Sequence, residues 1–165
     1  MIKSLTFYRK MLQKEIPIPN GRNPVMADKD VHSQRILVIE DDPLVSQSLK
    51  NLLEKEGFEV LVAPIGLAAL DLGVHESFDL IIADIRMPGM NGLEALKALR
   101  ELQSGFERPQ VPEIILTAYD IREVREEAQK IGVAEFLMKP FDNEKLITLI
   151  KKHLRVANPS GEPRS

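Results

Sequence analysis

The sequence predicts an α/β fold in which helices cover both faces of a five-stranded parallel sheet. Short apolar runs alternate five times with amphipathic runs between residues 35 and 155. Most of the short runs are apolar throughout, which is typical of strands that are buried on both faces. Turn-forming residues separate the runs, and the alternation of strand and helix indicates parallel pairing with crossover helices.

Length and composition are those of an ordinary globular protein of 165 residues, with 44% apolar and 28% charged residues. The absence of cysteine excludes disulfides and thiolate metal sites. No apolar run approaches the roughly 18 residues that a membrane span requires. Lys3, Arg9 and Lys10 interrupt the apolar residues at the start of the chain, so this segment lacks the apolar stretch of a signal peptide. We therefore expect a cytoplasmic protein.

Three regions are expected along the chain: an N-terminal extension at 1–34, one domain at 35–155 and a disordered tail at 156–165. The extension carries six Lys and Arg against three Asp and Glu, so it is net +3 and the remainder is net −6. Its apolar residues recur at helical spacing, which suits either a basic amphipathic helix for a partner or membrane surface, or a loosely ordered tail. We favour the tail. The mildly acidic whole does not favour nucleic-acid binding.

The strands are expected at 35–39, 58–63, 79–83, 112–118 and 135–138. A first helix should begin at Asp42 as N-cap with Pro43 in its first turn, and Gly57 should end it. Its predicted apolar face comprises Leu44, Val45, Leu49, Leu52 and Leu53.

The other helices are expected at 67–75, from Asn91-Gly92 through Leu102, at 121–131 and at 141–154. Residues 104–110 read as a polar and rather long loop.

Polar side chains follow four of the predicted strands. Glu40 and Asp41 follow the first, Asp84 the third and Lys139 the fifth, and Thr117 lies near the end of the fourth. The carboxyl ends of parallel strands meet at one edge of a sheet, where ligands bind. Each residue alone is as easily a turn cap, a strand residue or a surface charge. Together they would need four coincidences at the same edge, so we expect a site there.

Three carboxylates in one place repel each other and need a cation to stay ionised. Their oxygens are hard ligands and no His or Cys lies near in sequence, which favours Mg²⁺. An Asp beside such a metal can attack phosphorus and form an aspartyl phosphate, while a Lys and a hydroxyl neutralise the incoming oxygens. The added charge would then act as a switch on the nearby fourth helix, fifth strand and fifth helix.

Four motifs resemble the receiver domain of two-component response regulators, over about Arg35 to Leu154. They are Ile-Leu-Val-Ile-Glu-Asp, Ile-Ala-Asp-Ile-Arg-Met-Pro-Gly-Met-Asn-Gly, Ile-Leu-Thr-Ala and Phe-Leu-Met-Lys-Pro-Phe. The resemblance implies a flavodoxin-like fold with strand order 2-1-3-4-5. It also implies that Asp84 accepts a phosphoryl group from a histidine kinase or a histidine phosphotransfer protein.

The resemblance further assigns a role to each site residue. Asp41, Asp84 and the backbone carbonyl of Arg86 would hold Mg²⁺ directly, and Glu40 would act mainly through a water molecule. Lys139 would pair with the acyl phosphate or with Asp84, and Thr117 would move to bond the phosphoryl oxygen.

The resemblance also points to residues around this centre. Phe136 stands at the aromatic switch position, where core packing is the simpler role. Arg86 and Tyr119 stand where the family tunes hydrolysis, and both are bulky enough to hinder the attacking water. The bond before Pro140 is often cis in the family.

The leading hypothesis is a stand-alone receiver that signals by binding another protein or by passing its phosphoryl group onward. About ten residues follow the last predicted helix, so no DNA-binding domain is expected. A phosphohydrolase of the haloacid dehalogenase type is the enzyme alternative. Its second Asp, two residues after the nucleophile, is replaced here by Arg86 or Pro43, so we expect no turnover of external substrates. A phosphorylation-independent adaptor and a fragment of a larger regulator stay open.

Overall fold

The structure, a computed structural model, describes residues 33–118 and 122–157. These residues belong to one compact unit of the chain, His32–Ser165. They form five strands and five helices: β1 (Arg35–Ile39), α1 (Pro43–Lys55), β2 (Glu59–Ala63), α2 (Gly66–His75), β3 (Leu80–Asp84), α3 (Gly92–Gly105), β4 (Glu113–Thr117), α4 (Arg122–Lys130), β5 (Glu135–Met138) and α5 (Asn143–Ala157). The predictions for the extension and the tail lie outside the described residues, apart from Ser33, Gln34, Val156 and Ala157.

The sheet confirms the predicted fold class and strand order. All pairings are parallel and the order is β2-β1-β3-β4-β5. The register pairs Ile39 with Ala83, Asp84 with Leu116, and Thr117 with Met138. The carboxyl ends of four neighbouring strands therefore lie side by side at one edge of the sheet.

Two hydrophobic layers hold the sheet between the helices. Successive strand side chains point to opposite faces, so Leu37 and Ile81 pack in the layer that includes α2 and α3, whereas Ile36 and Ile82 pack in the layer that includes α1 and α5. The strands that carry the predicted site are thus buried on both faces, as their continuous apolar runs predict. None of the described helices has both the length and the apolar character that a membrane crossing needs.

Leu44 corrects the predicted apolar face of α1, because its side chain is 81% exposed. The buried residues of this helix are Ser46, Leu49 and Leu53. Leu53 follows Leu44 by nine residues, or about two and a half turns, which puts the two on opposite sides of the helix.

Several element boundaries also differ from the sequence prediction. Asp84 is the last residue of β3 and pairs with β4, where a loop residue was expected. Ser104 and Gly105 belong to α3. α5 begins at Asn143, two residues later than expected, and extends to Ala157. Asp142 sets this start, because its carboxylate accepts a hydrogen bond from the Lys145 N–H at 2.7 Å.

The turn from β3 into α3 depends on Gly92. Its N–H donates to the Ile85 carbonyl at 3.0 Å. A Cβ at this position would lie 2.0 Å from the carbonyl oxygen of Asp84. Asn91 caps the helix, and its side chain and that of Glu94 bond reciprocally to backbone N–H groups. The backbone of Asp84 is therefore packed directly against the start of α3.

A buried ion pair ties α3 to β4 at the opposite end of the sheet. Arg100 donates to both carboxylate oxygens of Glu113, with the Nε–Oε1 distance at 2.8 Å. Glu113 is only 2% exposed, and this burial raises its pKa even though Arg100 acts in the opposite direction. The sequence pattern predicts Glu113 within a strand but contains no signal for this ion pair.

Replacing Gly92 by Ala should destabilise the domain by about 2–3 kcal/mol, because the added methyl group meets backbone that cannot move away without shifting β3. Urea unfolding followed by circular dichroism measures the change. Gly105→Ala is the matched control, since a Cβ there meets no atom within 4 Å. Equal stability of the two variants would contradict the packing described for Gly92.

Glu113→Gln should alter the pH dependence of stability in a defined direction. Because the pKa of Glu113 is raised on folding, its protonation contributes stability below the unfolded pKa, and this contribution is lost as pH rises through the folded pKa. The free energy of unfolding of the wild type minus that of the variant should therefore fall between pH 4.5 and 7 in urea titrations. Glu101→Gln, which removes an exposed carboxylate from α3, is the control for the general effect of losing one acidic residue.

Candidate functional site

The turn after β1 delivers two of the predicted site carboxylates, Glu40 and Asp41. The Glu40 N–H donates to the Ala63 carbonyl at 3.1 Å, which extends the pairing with β2 by one residue. Asp42 caps α1, since its Oδ1 accepts from the N–H groups of Leu44 and Val45 at 2.8 and 3.3 Å. The cap confirms the predicted start of α1 and fixes the direction in which the chain leaves Asp41.

The structure brings Glu40, Asp41 and Asp84 together. One carboxylate oxygen of each lies within 4.8 Å of the other two. Glu40 and Asp84 are buried, at 2% and 8% exposure, whereas Asp41 is half-buried at the rim. Asp84 accepts a further hydrogen bond on Oδ1 from the Arg86 N–H at 3.2 Å.

Lys139 bridges the two buried carboxylates. Its Nζ lies 2.6 Å from Oε2 of Glu40 and 2.9 Å from Oδ2 of Asp84. The backbone N–H of Lys139 donates to the Thr117 carbonyl at 2.7 Å, which holds the end of β5 beside the end of β4. The peptide bond from Lys139 to Pro140 is cis. The predicted convergence of these side chains at one sheet edge is therefore present in the structure.

Burial and charge act together on the ionisation of this cluster. Burial raises the pKa of Glu40; the Lys139 ammonium works against this rise, and the charge of Asp84 adds to it. Burial alone would lower the pKa of Lys139, but its hydrogen bonds to Glu40 and Asp84 prevail and raise it. Lys139 is therefore firmly cationic at neutral pH. With all groups ionised, three carboxylates and one ammonium leave a net charge of −2.

The donor set fits Mg²⁺. Carboxylate oxygens are the hard ligands that this ion takes, and a divalent cation would neutralise the remaining charge. Asp41 at the half-exposed rim and Asp84 at the strand end leave one side of the cluster open, as an ion that keeps several water molecules requires.

The other predicted residues surround this cluster. Thr117 is buried at the end of β4. Phe136 is half-buried against the core, as its simpler role predicted. Arg86 is exposed and lines a cleft of about 520 Å³ that runs from Asp41 past Met87, Pro88 and Asn91 to Val124 and Glu127 of α4. Tyr119 lies outside the described residues.

Two contacts near the site were not foreseen from the sequence. The guanidinium carbon of Arg125 lies 5.0 Å from the centroid of the Phe136 ring. Met90 packs where a side chain on Gly66 would be, since a Cβ there would lie 2.6 Å from its sulfur. Gly66, at the start of α2, is the one residue whose type indicates the close packing of Met90. The contact of Arg125 with Phe136 has no such sequence signal, because Arg125 is one of many charged residues in its helix.

Comparison with known proteins identifies the family of the domain. The family model of the response regulator receiver domain matches residues 36–151 of this chain. The transcriptional regulatory protein FixJ of Bradyrhizobium diazoefficiens is 36% identical over 127 residues, which cover 77% of this chain and 60% of FixJ. The transcriptional regulatory protein CpxR of Escherichia coli is 40% identical over 131 residues, or 79% of this chain and 53% of CpxR. The chain thus spans between half and two thirds of these relatives.

A solved structure carries the same fold with a metal ion. The receiver domain of the sensor histidine kinase PA1611 from Pseudomonas aeruginosa has 28% identity and a TM-score of 0.65, covering 74% of this chain and 98% of that domain. Its crystal structure contains a magnesium ion coordinated in the active site cleft.

Replacing Lys139 by Met should cost about 2–3 kcal/mol of folding stability at pH 7, because two buried carboxylates lose their counter-charge. Without the ammonium the folded pKa of Glu40 rises further, so protonation at low pH relieves the repulsion. The deficit relative to wild type should therefore be small at pH 5 and grow towards pH 7 in urea titrations.

Two variants control this prediction. Lys145→Met removes an exposed lysine of α5 and should cost little at either pH. The double variant Lys139→Met, Glu40→Gln should recover part of the loss, since one of the two facing charges is gone. A deficit of equal size at both pH values would show that Lys139 acts by packing and not by charge.

Proposed function

Because the chain belongs to the response regulator receiver domain family, we propose that it is a phosphorylatable switch in which Asp84 accepts a phosphoryl group from a phosphohistidine. The observation that supports this most directly is the pairing of Lys139 with both Asp84 and Glu40. A half-buried cation that already contacts the acceptor carboxylate is placed to stabilise the negative oxygens of an arriving phosphoryl group.

The transfer itself needs little covalent chemistry from the protein. A carboxylate oxygen of Asp84 bonds to phosphorus while the phosphorus–nitrogen bond of the partner's histidine breaks, and the imidazole nitrogen keeps the electron pair. The hydrogen bonds from Arg86 N–H and Lys139 Nζ orient the Asp84 carboxylate before the donor arrives.

Mg²⁺ is the cofactor that we propose for this site. Asp41, Asp84 and the backbone carbonyl of Arg86 would hold it directly, and Glu40 through water. When bound, the ion would offset the negative charge that the phosphoryl group brings to a cluster that is already anionic.

The signal would pass through the residues that face the new phosphoryl group. Phosphorylation adds about two negative charges and three strong acceptors. We propose that the Thr117 hydroxyl donates to one of these acceptors, and that Phe136 and the surface of α4, β5 and α5 respond. Arg86 and Tyr119, both bulky, would hinder hydrolysis and lengthen the phosphorylated lifetime.

The proposed partners follow from the chemistry. A histidine kinase or a histidine phosphotransfer protein would supply the phosphoryl group, and a protein partner would read the phosphorylated surface. FixJ and CpxR are transcriptional regulatory proteins, but this chain spans only 60% of FixJ and 53% of CpxR. The activity of those whole proteins is therefore not carried over to this chain. Arg86 stands where a phosphohydrolase of the Asp type would need a second Asp, so we propose a switch and not turnover of external substrates.

Incubation with acetyl phosphate and Mg²⁺ should add the mass of one phosphoryl group to the intact protein. Asp84→Asn should abolish the addition, and removal of Mg²⁺ by EDTA should reduce it by about 10-fold or more. Asp71→Asn, which changes an exposed carboxylate on α2, should be phosphorylated like the wild type. A folded, Mg²⁺-saturated protein that gains no mass would refute the proposal and favour a phosphorylation-independent adaptor.

A further inference from the structure

Helix α2 has little in its own sequence to hold its two ends. It is ten residues long, which is short for a helix that is to be stable by itself. Ile65, the residue before its first turn, has no side-chain oxygen to cap the helix. Glu76, the residue after its last turn, is extended with φ of −120°, whereas many helices close with a left-handed residue there. The last carbonyl groups of α2 therefore need donors from outside the helix.

A single arginine from the connection between α3 and β4 supplies such donors. Nη1 of Arg108 donates to the carbonyl groups of Gly73 and Glu76, both at 2.8 Å, and Nη2 donates to the Val74 carbonyl at 3.3 Å. The guanidinium is half-buried, and it brings a positive charge to the negative end of the helix dipole. Arg108 thus occupies the place of a C-terminal cap for α2, although it lies 32 residues after Glu76.

The backbone before Arg108 is bent in a way that presents its side chain to α2. Glu107 has φ of +56°, in the left-handed region that residues with a Cβ seldom adopt. The N–H groups of Glu107 and Arg108 donate back to the carbonyls of Ser104 and Gln103, at 3.1 and 2.9 Å. The guanidinium carbon of Arg108 lies 5.0 Å from the centroid of the Phe106 ring. A strained backbone residue and an aromatic ring therefore both fix the direction of the Arg108 side chain.

We propose that residues 104–110 form a strap that closes the end of α2 through Arg108, so that the strap and the last turn of α2 open and close as one unit. The last turn of α2 cannot unfold without releasing the guanidinium that its carbonyl groups hold. The strap cannot leave without depriving those carbonyls of a charged donor. This device is separate from the proposed switch, since α2 and α3 end at the amino edge of the parallel sheet, opposite to Asp84.

Other contacts limit the part of α2 that the strap controls. Ala69 is fully buried, and Gly73 packs directly against α3, since a Cβ there would lie 2.6 Å from Cδ2 of Leu99. Arg35 of β1 binds the Glu76 carboxylate at 2.7 Å, but this ion pair gives no donor to the carbonyl groups of the helix end. Opening of the strap should therefore free the last turn of α2 and leave the rest of the helix in place.

Hydrogen–deuterium exchange of the whole chain tests the strap without relying on phosphorylation. In Arg108→Ala, exchange should rise about 10-fold or more over both 74–76 and 106–108, as expected for the loss of charged hydrogen bonds. Exchange over β3 and β4 should stay at the wild-type rate, which separates local opening from a loss of global stability. A rise in only one of the two segments, or in neither, would overturn the proposal.

Two substitutions of Glu107 test the backbone of the strap and remove the same carboxylate. Glu107→Val places a β-branched side chain at positive φ, so it should raise exchange in both segments as Arg108→Ala does. Glu107→Gly accepts this φ without strain and should leave both segments as protected as in the wild type. Equal exchange in the two variants would contradict a role of the Glu107 backbone in presenting Arg108.

Three further variants separate the shape of the Arg108 side chain from its charge. Arg108→Lys keeps the charge but loses the planar fork of N–H groups, so it should restore only part of the protection. Phe106→Leu removes the ring beside the guanidinium and should raise exchange about two- to fivefold in both segments. Arg122→Ala, which removes an 87% exposed arginine of α4, is the control and should change neither segment. Full protection in Arg108→Lys would overturn the cap, because a positive charge near the helix end would then be enough.

Discussion

The domain depends on keeping two buried carboxylates beside one ammonium group. Glu40 and Asp84 lie at the ends of neighbouring parallel strands, where both are largely removed from water. Desolvation of two like charges would be costly, and Lys139 from a third strand offsets that cost through hydrogen bonds of 2.6 and 2.9 Å. Three carboxylates against one ammonium group make the site one that a divalent cation would suit.

The positions of these side chains depend on the path of the backbone, which the turns after β1 and β3 fix. Gly92 lets α3 start against the Asp84 carbonyl, and the Asn91–Glu94 capping box fixes the direction of that helix. Asp42 does the same for α1 beside Asp41. Groups that belong to rigid, buried strands and capped helices need little reorganisation when charge arrives, which is the condition for electrostatic stabilisation.

Helix α4 stands apart from this rigid frame. Among its described residues, α4 buries Ala128 and half-buries Val124, so it has less apolar packing than α3 or α5. Arg100 of α3 donates to the Ile131 carbonyl directly after α4. The fold thus places a helix with little buried apolar surface beside a rigid site.

Three features could be predicted from the amino-acid chain alone: the fold class, the strand order through the family resemblance, and the group of residues at the sheet edge. It could do so because continuous apolar runs report burial on both faces, and parallel strands must end at the same edge. The helix starts at Asp42 and Asn91 could also be predicted, because a capping residue is recognised from its immediate neighbours in the chain. Helical periodicity was less exact: Leu44 is apolar yet faces away from Leu53, and Ser46 takes the buried position.

The pairing of particular charged side chains could be seen only in the folded protein. Lys139 and Glu40 are 99 residues apart, Arg100 and Glu113 are 13 apart on different elements, and Arg125 meets Phe136 across a turn. Periodicity reports which face of an element is apolar, but polar residues on the remaining faces are equivalent until packing brings particular pairs within hydrogen-bond distance. The buried ion pairs and the stacking of Arg125 on Phe136 are of this kind, because they follow from packing between elements and leave no local pattern in the chain.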